Sequence, residues 1–390
     1  MSAKPFSRTG LTAACCSGYF VLGLVISLIG ASLEEFSVQV SASVTRVGGT
    51  FFFYIAIASF IVLFAAGPVM DRFGKKPILV AGSLLAGTAM LVASVIDSFG
   101  WACAVMFLLG IGVGCFNAGL NTLINELYPE NRGRVLNLGN AFFGLGAVFL
   151  PLVAGWLFLY MGLVQLLVLT AIFSFLPGIL FAFSVFPSPS NGVRFRFGEA
   201  VKVLQDPLVV LMGLVLFFYV GLEASIGIWC RSAVVEHWQI RAPFDQFTLA
   251  AFWASLVLGR IIAGTTFRAI PNEDLVFYCS AGSCVGIAVF ILAPSAAMAS
   301  AGLWFAGLCF GPIFPSSLAT AGTCFKHYSG TIFSLVIASG VLGGVVLAPA
   351  IGKLAGVSSL MTGLWLAFGA GVMLLMSQIS VRQKVKRRLK

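Results

Sequence analysis

Twelve runs of mainly apolar residues, each about as long as a bilayer's hydrocarbon layer is thick, follow one another along this chain. They lie at roughly 10–35, 47–70, 76–96, 101–126, 134–158, 161–186, 207–233, 245–268, 274–293, 297–324, 330–354 and 358–379. In hydrocarbon every backbone N–H and C=O must find its partner within the protein, so only α-helices or a closed β-barrel can span. A barrel strand needs only about 10 residues of alternating polarity, which these longer, continuous runs do not show. The expectation is an all-α integral membrane protein with twelve transmembrane helices in two six-helix pseudo-repeats. Charge content agrees: 9% of the 390 residues are charged, against about a quarter in soluble domains. The first run follows MSAKPFSRTG and reaches Leu33. It is longer than the core of a cleavable signal, and so reads as a retained first helix.

The net charge of +10 is placed in short turns and in the tail RQKVKRRLK, not in an aromatic-interleaved basic domain. That placement argues against nucleic acid as a partner. An even number of spans leaves both ends on one side. Of 23 Lys and Arg, 18 fall in the segments that would share that side. Arg46, Arg231, Arg241 and Lys353 would face the other way, and Arg260 lies within a span. Positive loops mark the cytoplasmic face, so both termini are assigned there, in a bacterial cytoplasmic (inner) membrane. The nine cysteines (Cys15, Cys16, Cys103, Cys115, Cys230, Cys279, Cys284, Cys309 and Cys324) are scattered through apolar runs without metal-ligand spacing. They read as small packing residues. His237 and His327 are the only histidines, and no nucleophile–base pair, nucleotide loop or metal cluster appears. The chain therefore reads as neither an enzyme nor an ATP-driven pump, with no cofactor and no metal.

The longest polar connection, PSPSNGVRFRFGEAVKVLQDP, runs from Pro187 to Pro207. It suggests an N-terminal half at 1–186, a cytoplasmic linker at 187–206 and a C-terminal half at 207–390 with a basic tail. Shifting the chain by 197 residues pairs Gly30 with Gly227, Gly67 with Gly264, Gly110 with Gly307 and Gly114 with Gly311. The same shift pairs Gly133 with Gly330, Gly146 with Gly343 and Gly155 with Gly352. This is the mark of a duplicated six-helix unit, and small residues let helix backbones approach closely in lipid. Parallel repeats of this kind are expected to carry a solute site at their interface near mid-membrane.

Between spans two and three the chain reads GPVMDRFGKK, from Gly67 to Lys76. Position for position, this resembles the loop motif of the major facilitator superfamily. The resemblance implies a loop that locks the cytoplasmic side and takes part in the conformational switch. Gly67 would allow close contact with span eleven, and Asp71 would pair across the halves. Arg72, Gly74, Lys75 and Lys76, with Arg132 and Arg134 at the start of span five, complete that implied gate. The topology reading of Arg72, Lys75 and Lys76 stands beside it. The second-half counterpart, GTTFRAI from Gly264 to Ile270, has Arg268 where the acid would be. Asp71→Asn is therefore expected to slow transport while leaving solute affinity within about a few-fold, since the gate is remote from the solute. Unchanged flux would reduce the motif to a topology signal.

Two further stretches, NELYPENRGRVLNLGNAFFGLGAVFLPLVAG and FFYVGLEASIGIW, resemble the fucose/galactose/glucose:proton symporter branch of that superfamily. The branch's acid midway along its first helix has no counterpart here. Span one is apolar until Glu34 and Glu35 at its outer end.

Asn117, Asn121 and Asn125 recur every fourth residue on span four and share a face. The amides of Asn117 and Asn121 offer the uncharged, two-way hydrogen bonding that a sugar needs, whereas Asn125, near the cytoplasmic end, reads as structural together with Glu126. The same residues would also serve as glue between helices. Asn137 and Asn140 open span five, where a gate or capping role fits. Glu223 is the acid well inside a span, and an intramembrane acid is a functional candidate able to carry a proton or hold hydroxyls, with a buried structural hydrogen bond as the other reading. Tyr219, Trp229 and Trp253 supply aromatic faces for a sugar ring, or anchor the chain at the membrane interface. Arg260 lies about 12 Å from the inner end of span eight and Glu223 about 24 Å along span seven. On that count the two are too far apart to pair, and Arg260 is left either to snorkel inward or to meet an anion in the cavity.

The reading is a secondary active transporter of a small polar solute, most simply a sugar, working by alternating access and coupled to protons, with sodium as the other ion. It would be a monomer in membrane lipid. The alternatives are a proton-driven exporter of drugs or metabolites, and an organic-anion transporter using Arg260.

Overall fold

The computed structural model describes residues 7–128, 132–186, 205–267, 269–325 and 329–388. They form α1 (Arg8–Ala31), α2 (Leu33–Gln39), α3 (Val44–Phe73), α4 (Lys75–Ala93), α5 (Phe99–Leu127), α6 (Arg132–Tyr160) and α7 (Leu163–Phe183). After these come α8 (Pro207–Trp238), α9 (Phe244–Thr265), α10 (Asn272–Leu292), α11 (Ala296–Cys324), α12 (Ser329–Ala355) and α13 (Leu360–Arg388). Twelve of these are long and apolar enough to cross a membrane, α2 being the exception. Among the described residues there is no strand.

Several helix starts follow from local chemistry. Asp206 accepts a hydrogen bond from the Leu208 amide at 2.9 Å, with Pro207 opening α8. That is the arrangement in which a capping carboxylate meets an orphan amide and proline costs nothing. Gly74 is the single residue between α3 and α4, at φ +79, a left-handed backbone that glycine adopts without penalty.

The first expected span breaks earlier than its hydropathy suggests. The helix stops at Ala31 and a new one starts after Ser32, so Glu34 and Glu35 are not the outer end of span one. They lie in the first turn of α2, where a carboxylate meets the positive end of a helix dipole. Gln39 then ties α2 to the far end of α4 through the Ala93 and Ile96 carbonyls.

The contacts divide the chain into two units, Met1–Val193 and Arg194–Lys390. In the first, α1 packs on α5, α6 and α7, α3 on α5, and α4 on α5 and α7. In the second, α8 packs on α11, α12 and α13, α9 on α11, and α10 on α11 and α13. These pairs correspond helix for helix between the two units. Atomic contacts repeat as well. A Cβ built on Gly146 would stand 2.0 Å from the Phe20 carbonyl oxygen, and one on Gly343 1.8 Å from that of Phe217. Likewise Gly114 closes on Ser59 and Gly311 on the Leu256 carbonyl oxygen. Each residue and its counterpart are separated by the spacing of the paired glycines in the sequence. Glycine is demanded here because backbone meets backbone with no room for a side chain.

Gly343→Ala should therefore push α12 off α8, destabilising the second unit by about 1–3 kcal/mol, the usual cost of overpacking. Thermal unfolding of the purified protein in detergent would register it as a lowered Tm. An unchanged Tm would mean that the helices separate freely.

Candidate functional site

In the second unit, α8, α9 and α11 bring Tyr219, Glu223 and Arg260 together. Tyr219 and Glu223 are one turn apart on α8 and so share a face. Arg260 projects from α9, where close packing of Gly311 sets α11 against the Arg260 backbone, 2.8 Å from the ideal Cβ. The guanidinium Nε donates to the Gly311 carbonyl at 3.3 Å. That carbonyl is free because its ordinary helical partner would be the N–H of residue 315, which is proline. Thus the sequence Gly-Pro-Ile-Phe-Pro at 311–315 creates the acceptor that orients Arg260.

Arg260 Nη2 stands 3.7 Å from Glu223 Oε1, each side chain 15% exposed. This corrects the expectation that the two are out of reach. That count took helix ends as a common floor. However, α8 has 32 residues, about 48 Å of helix at 1.5 Å per residue, while the hydrocarbon layer is about 30 Å thick. The two ends of α8 therefore cannot both lie at the membrane boundaries, and heights counted from Pro207 and from the end of α9 have no common floor.

The pair is close without being closed. At 3.7 Å it is an ion pair, but longer than a charge-assisted hydrogen bond of about 2.7–2.9 Å. Three buried atoms of the cluster, Tyr219 Oη, Glu223 Oε1 and Arg260 Nη1, make no hydrogen bond among the described residues. Buried polar groups ordinarily have partners. Tyr219 is fully buried, its ring edge-on to Phe310 at 5.9 Å and tilted against Phe314 at 6.4 Å. The arrangement presents two donors and one acceptor beside aromatic carbon, which suits a hydroxyl-bearing solute.

The two tryptophans occupy different ground. Trp229 is fully buried and its indole N–H donates to the Ala348 carbonyl at 3.0 Å, fastening α8 to α12. Trp253 is buried against Gly227 of α8, which leaves room for its ring. Neither side chain is a membrane-interface anchor, because both face helices of their own unit.

Within the first unit, Asn121 accepts a hydrogen bond from the Tyr19 hydroxyl at 2.8 Å and donates to the Asn117 carbonyl at 2.8 Å. This reach back along α5 takes up part of the amide that a sugar would use. Asn117 is half-buried, and its backbone carbonyl is the one that Asn121 takes. Tyr19 was missed in a span that read as wholly apolar. One hydroxyl in a run of aliphatic residues changes hydropathy little, yet in lipid it must find a partner.

At the α3–α4 turn, Lys75 forms an ion pair with Glu126 in the last turn of α5. A carboxylate there faces the negative end of the helix dipole and needs a cation. Lys76 donates to the Ser184 carbonyl at 3.0 Å, at the end of α7. Arg72 stacks over the Phe73 ring at 5.1 Å. Both lysines thus join helices of the same unit. The surroundings of Gly67, the side chains of Asp71, Asn125, Arg132, Arg134, Asn137 and Asn140, and residue Arg268 lie outside what is described.

A second charged pair was not anticipated. Arg231 Nε meets Asp245 Oδ2 at 2.8 Å, with side chains 4% and 2% exposed. Arg231 is therefore not a charge on an exposed loop. The helix continues past it to Trp238, and Asp245 in the first turn of α9 supplies the counter-charge. Hydropathy places such residues at span ends because it cannot see a partner on the next helix.

The sequence model of the Major Facilitator Superfamily matches residues 15–349. Among curated proteins, the chain is 23% identical over 377 residues to Bypass of stop codon protein 6 of Saccharomyces cerevisiae, covering 86% of this chain and 74% of the yeast protein. It is 24% identical over 320 residues to a putative glucose/galactose transporter of Helicobacter pylori, covering 75% of this chain and 76% of that one. Among solved structures, a D-xylose-proton symporter superposes with a TM-score of 0.80 over 96% of this chain and 97% of the symporter, at 14% identity. That likeness concerns the fold.

Proposed function

Because the chain belongs to the Major Facilitator Superfamily, we propose that it is a secondary transporter moving a small, hydroxyl-bearing solute, a sugar in the first instance, by alternating access and with proton coupling. The observation that carries this reading is the Tyr219–Glu223–Arg260 cluster. In it Tyr219 Oη, Glu223 Oε1 and Arg260 Nη1 are buried and make no hydrogen bond among the described residues, while Arg260 Nε is held by the Gly311 carbonyl and Nη2 faces Glu223 at 3.7 Å. An intramembrane acid beside an arginine is costly unless it is used. The name of the Helicobacter relative, a putative glucose/galactose transporter, points the same way. Asn117 and Asn121 of α5 are the matching candidates in the first unit.

Glu223 is the proton carrier of this mechanism. With the carboxylate charged, Arg260 is its counter-ion. When a proton binds, the acid becomes a donor as well as an acceptor, and the guanidinium is released to a solute oxygen. Tyr219 presents its hydroxyl to the same solute, with Phe310 and Phe314 against the apolar face. By the distribution of Lys and Arg, both termini lie in the cytoplasm.

The test is uptake by purified protein in proteoliposomes, with labelled sugars and sugar derivatives and an imposed proton gradient. Accumulation above equilibrium that collapses with a protonophore supports the reading. Folded, reconstituted protein that neither takes up nor exchanges any of these solutes overturns it.

A further inference from the structure

We propose that the solute is a sugar acid, an aldonate or uronate with one carboxylate, and that it moves with one proton in an electroneutral step. This rests on the transport reading above and narrows it. The observation is a charge balance within the second unit. Glu223 and Arg260 face each other at 3.7 Å, and they are the charges available to that cluster from every helix packed on α8. The only other charge on α9 is Asp245, which is taken by Arg231. From Ala296 to Cys324, α11 carries no Asp, Glu, Lys, Arg or His. On α12 the only such residue is Lys353, in its last turn, and on α13 none precedes Arg382. On α8 itself the remaining titratable neighbour in the cluster is Tyr219.

The resting cluster is thus neutral as a pair. Adding a proton to the Glu223 carboxylate removes the negative charge and leaves the guanidinium without a counter-ion. A buried, unpaired charge is strongly unfavourable, and a neutral sugar does nothing to relieve it. A solute carboxylate does. It takes the place of Glu223 opposite Arg260, whose Nη1 has no partner among the described residues and whose planar fork suits a carboxylate. The neutral carboxyl of Glu223 and the Tyr219 hydroxyl then serve the solute's hydroxyls. One proton and one negative charge enter together, and both leave together when the proton dissociates from Glu223. Aromatic carbon from Phe310 and Phe314 completes a site for a compact polyol with one acidic end.

The experiment compares labelled D-glucuronate and D-glucose in proteoliposomes with the outside acidic and the membrane potential clamped by potassium and valinomycin. Glucuronate is expected to accumulate, with no response to the sign of the potential. Glucose should enter about ten- to a hundredfold less efficiently, the range set by one hydrogen-bonded charge contact. Arg260→Gln should lower glucuronate affinity by the same factor, and the wild-type comparison decides the matter if that variant fails to fold. Glucose moved as well as glucuronate, or glucuronate flux driven by the potential, would overturn the sugar-acid assignment and leave the transporter reading intact. If neither solute is moved, and no other sugar is, both fall.

Discussion

A protein carrying Glu223→Gln is expected to lose proton-driven accumulation while continuing to exchange solute across the membrane. The substitution keeps the shape of the side chain and an oxygen that accepts hydrogen bonds, but it removes the group that gains and loses a proton. It also removes the anion beside Arg260. The guanidinium keeps its contact with the Gly311 carbonyl, so the helices should remain in register. Accumulation should fall to equilibration, and counterflow should stay within about tenfold, the effect of one charge-assisted hydrogen bond of about 1.5 kcal/mol. The two assays read different steps, so a variant that merely misfolds loses both. Intact accumulation and an unchanged pH dependence would remove Glu223 from the proton path.

The largest stability effect should come from Asp245→Ala. It removes the carboxylate 2.8 Å from Arg231 Nε and so breaks an ion pair whose side chains are 4% and 2% exposed. Removing one partner of a buried ion pair typically costs about 3–5 kcal/mol. Removing both is a different matter, because no charge is then stranded. Arg231→Met with Asp245→Leu should recover most of the loss, since apolar replacement of a buried pair is often neutral or stabilising. The measurement is thermal unfolding of the single and double variants in one detergent. A double variant no more stable than Asp245→Ala would show that the pair matters for something besides charge balance.

Those two pairs also mark where the sequence was legible and where it was not. The helices could be read because lipid forces each span to satisfy its own backbone, which writes a long apolar run for every one of them. The duplication could be read because backbone contact such as that of Gly343 on Phe217 admits one residue type. Glu223 stood out as an acid among apolar neighbours. Its partner did not, because residue count gives distance along a helix and says nothing of where a 32-residue helix sits against its neighbours. Tyr19 and Asp245 were missed for a related reason: each has a partner on another helix, Asn121 and Arg231, and hydropathy is blind to pairs. The carbonyl that holds Arg260 left one trace, a proline four residues further on.

That proline has a mechanical consequence. A helix resists bending because bending stretches its own rungs, and at Pro315 α11 has one rung fewer. The missing rung is replaced by Arg260, a side chain from a neighbouring helix. Flexing α11 at this level therefore loads the arginine instead of the helix's own ladder. A pull on the guanidinium likewise bears on the backbone at a level where that rung is missing. Charge at the cluster and curvature of α11 are joined by a single linkage, the stiffness of which is set by the contact between Arg260 and one carbonyl oxygen.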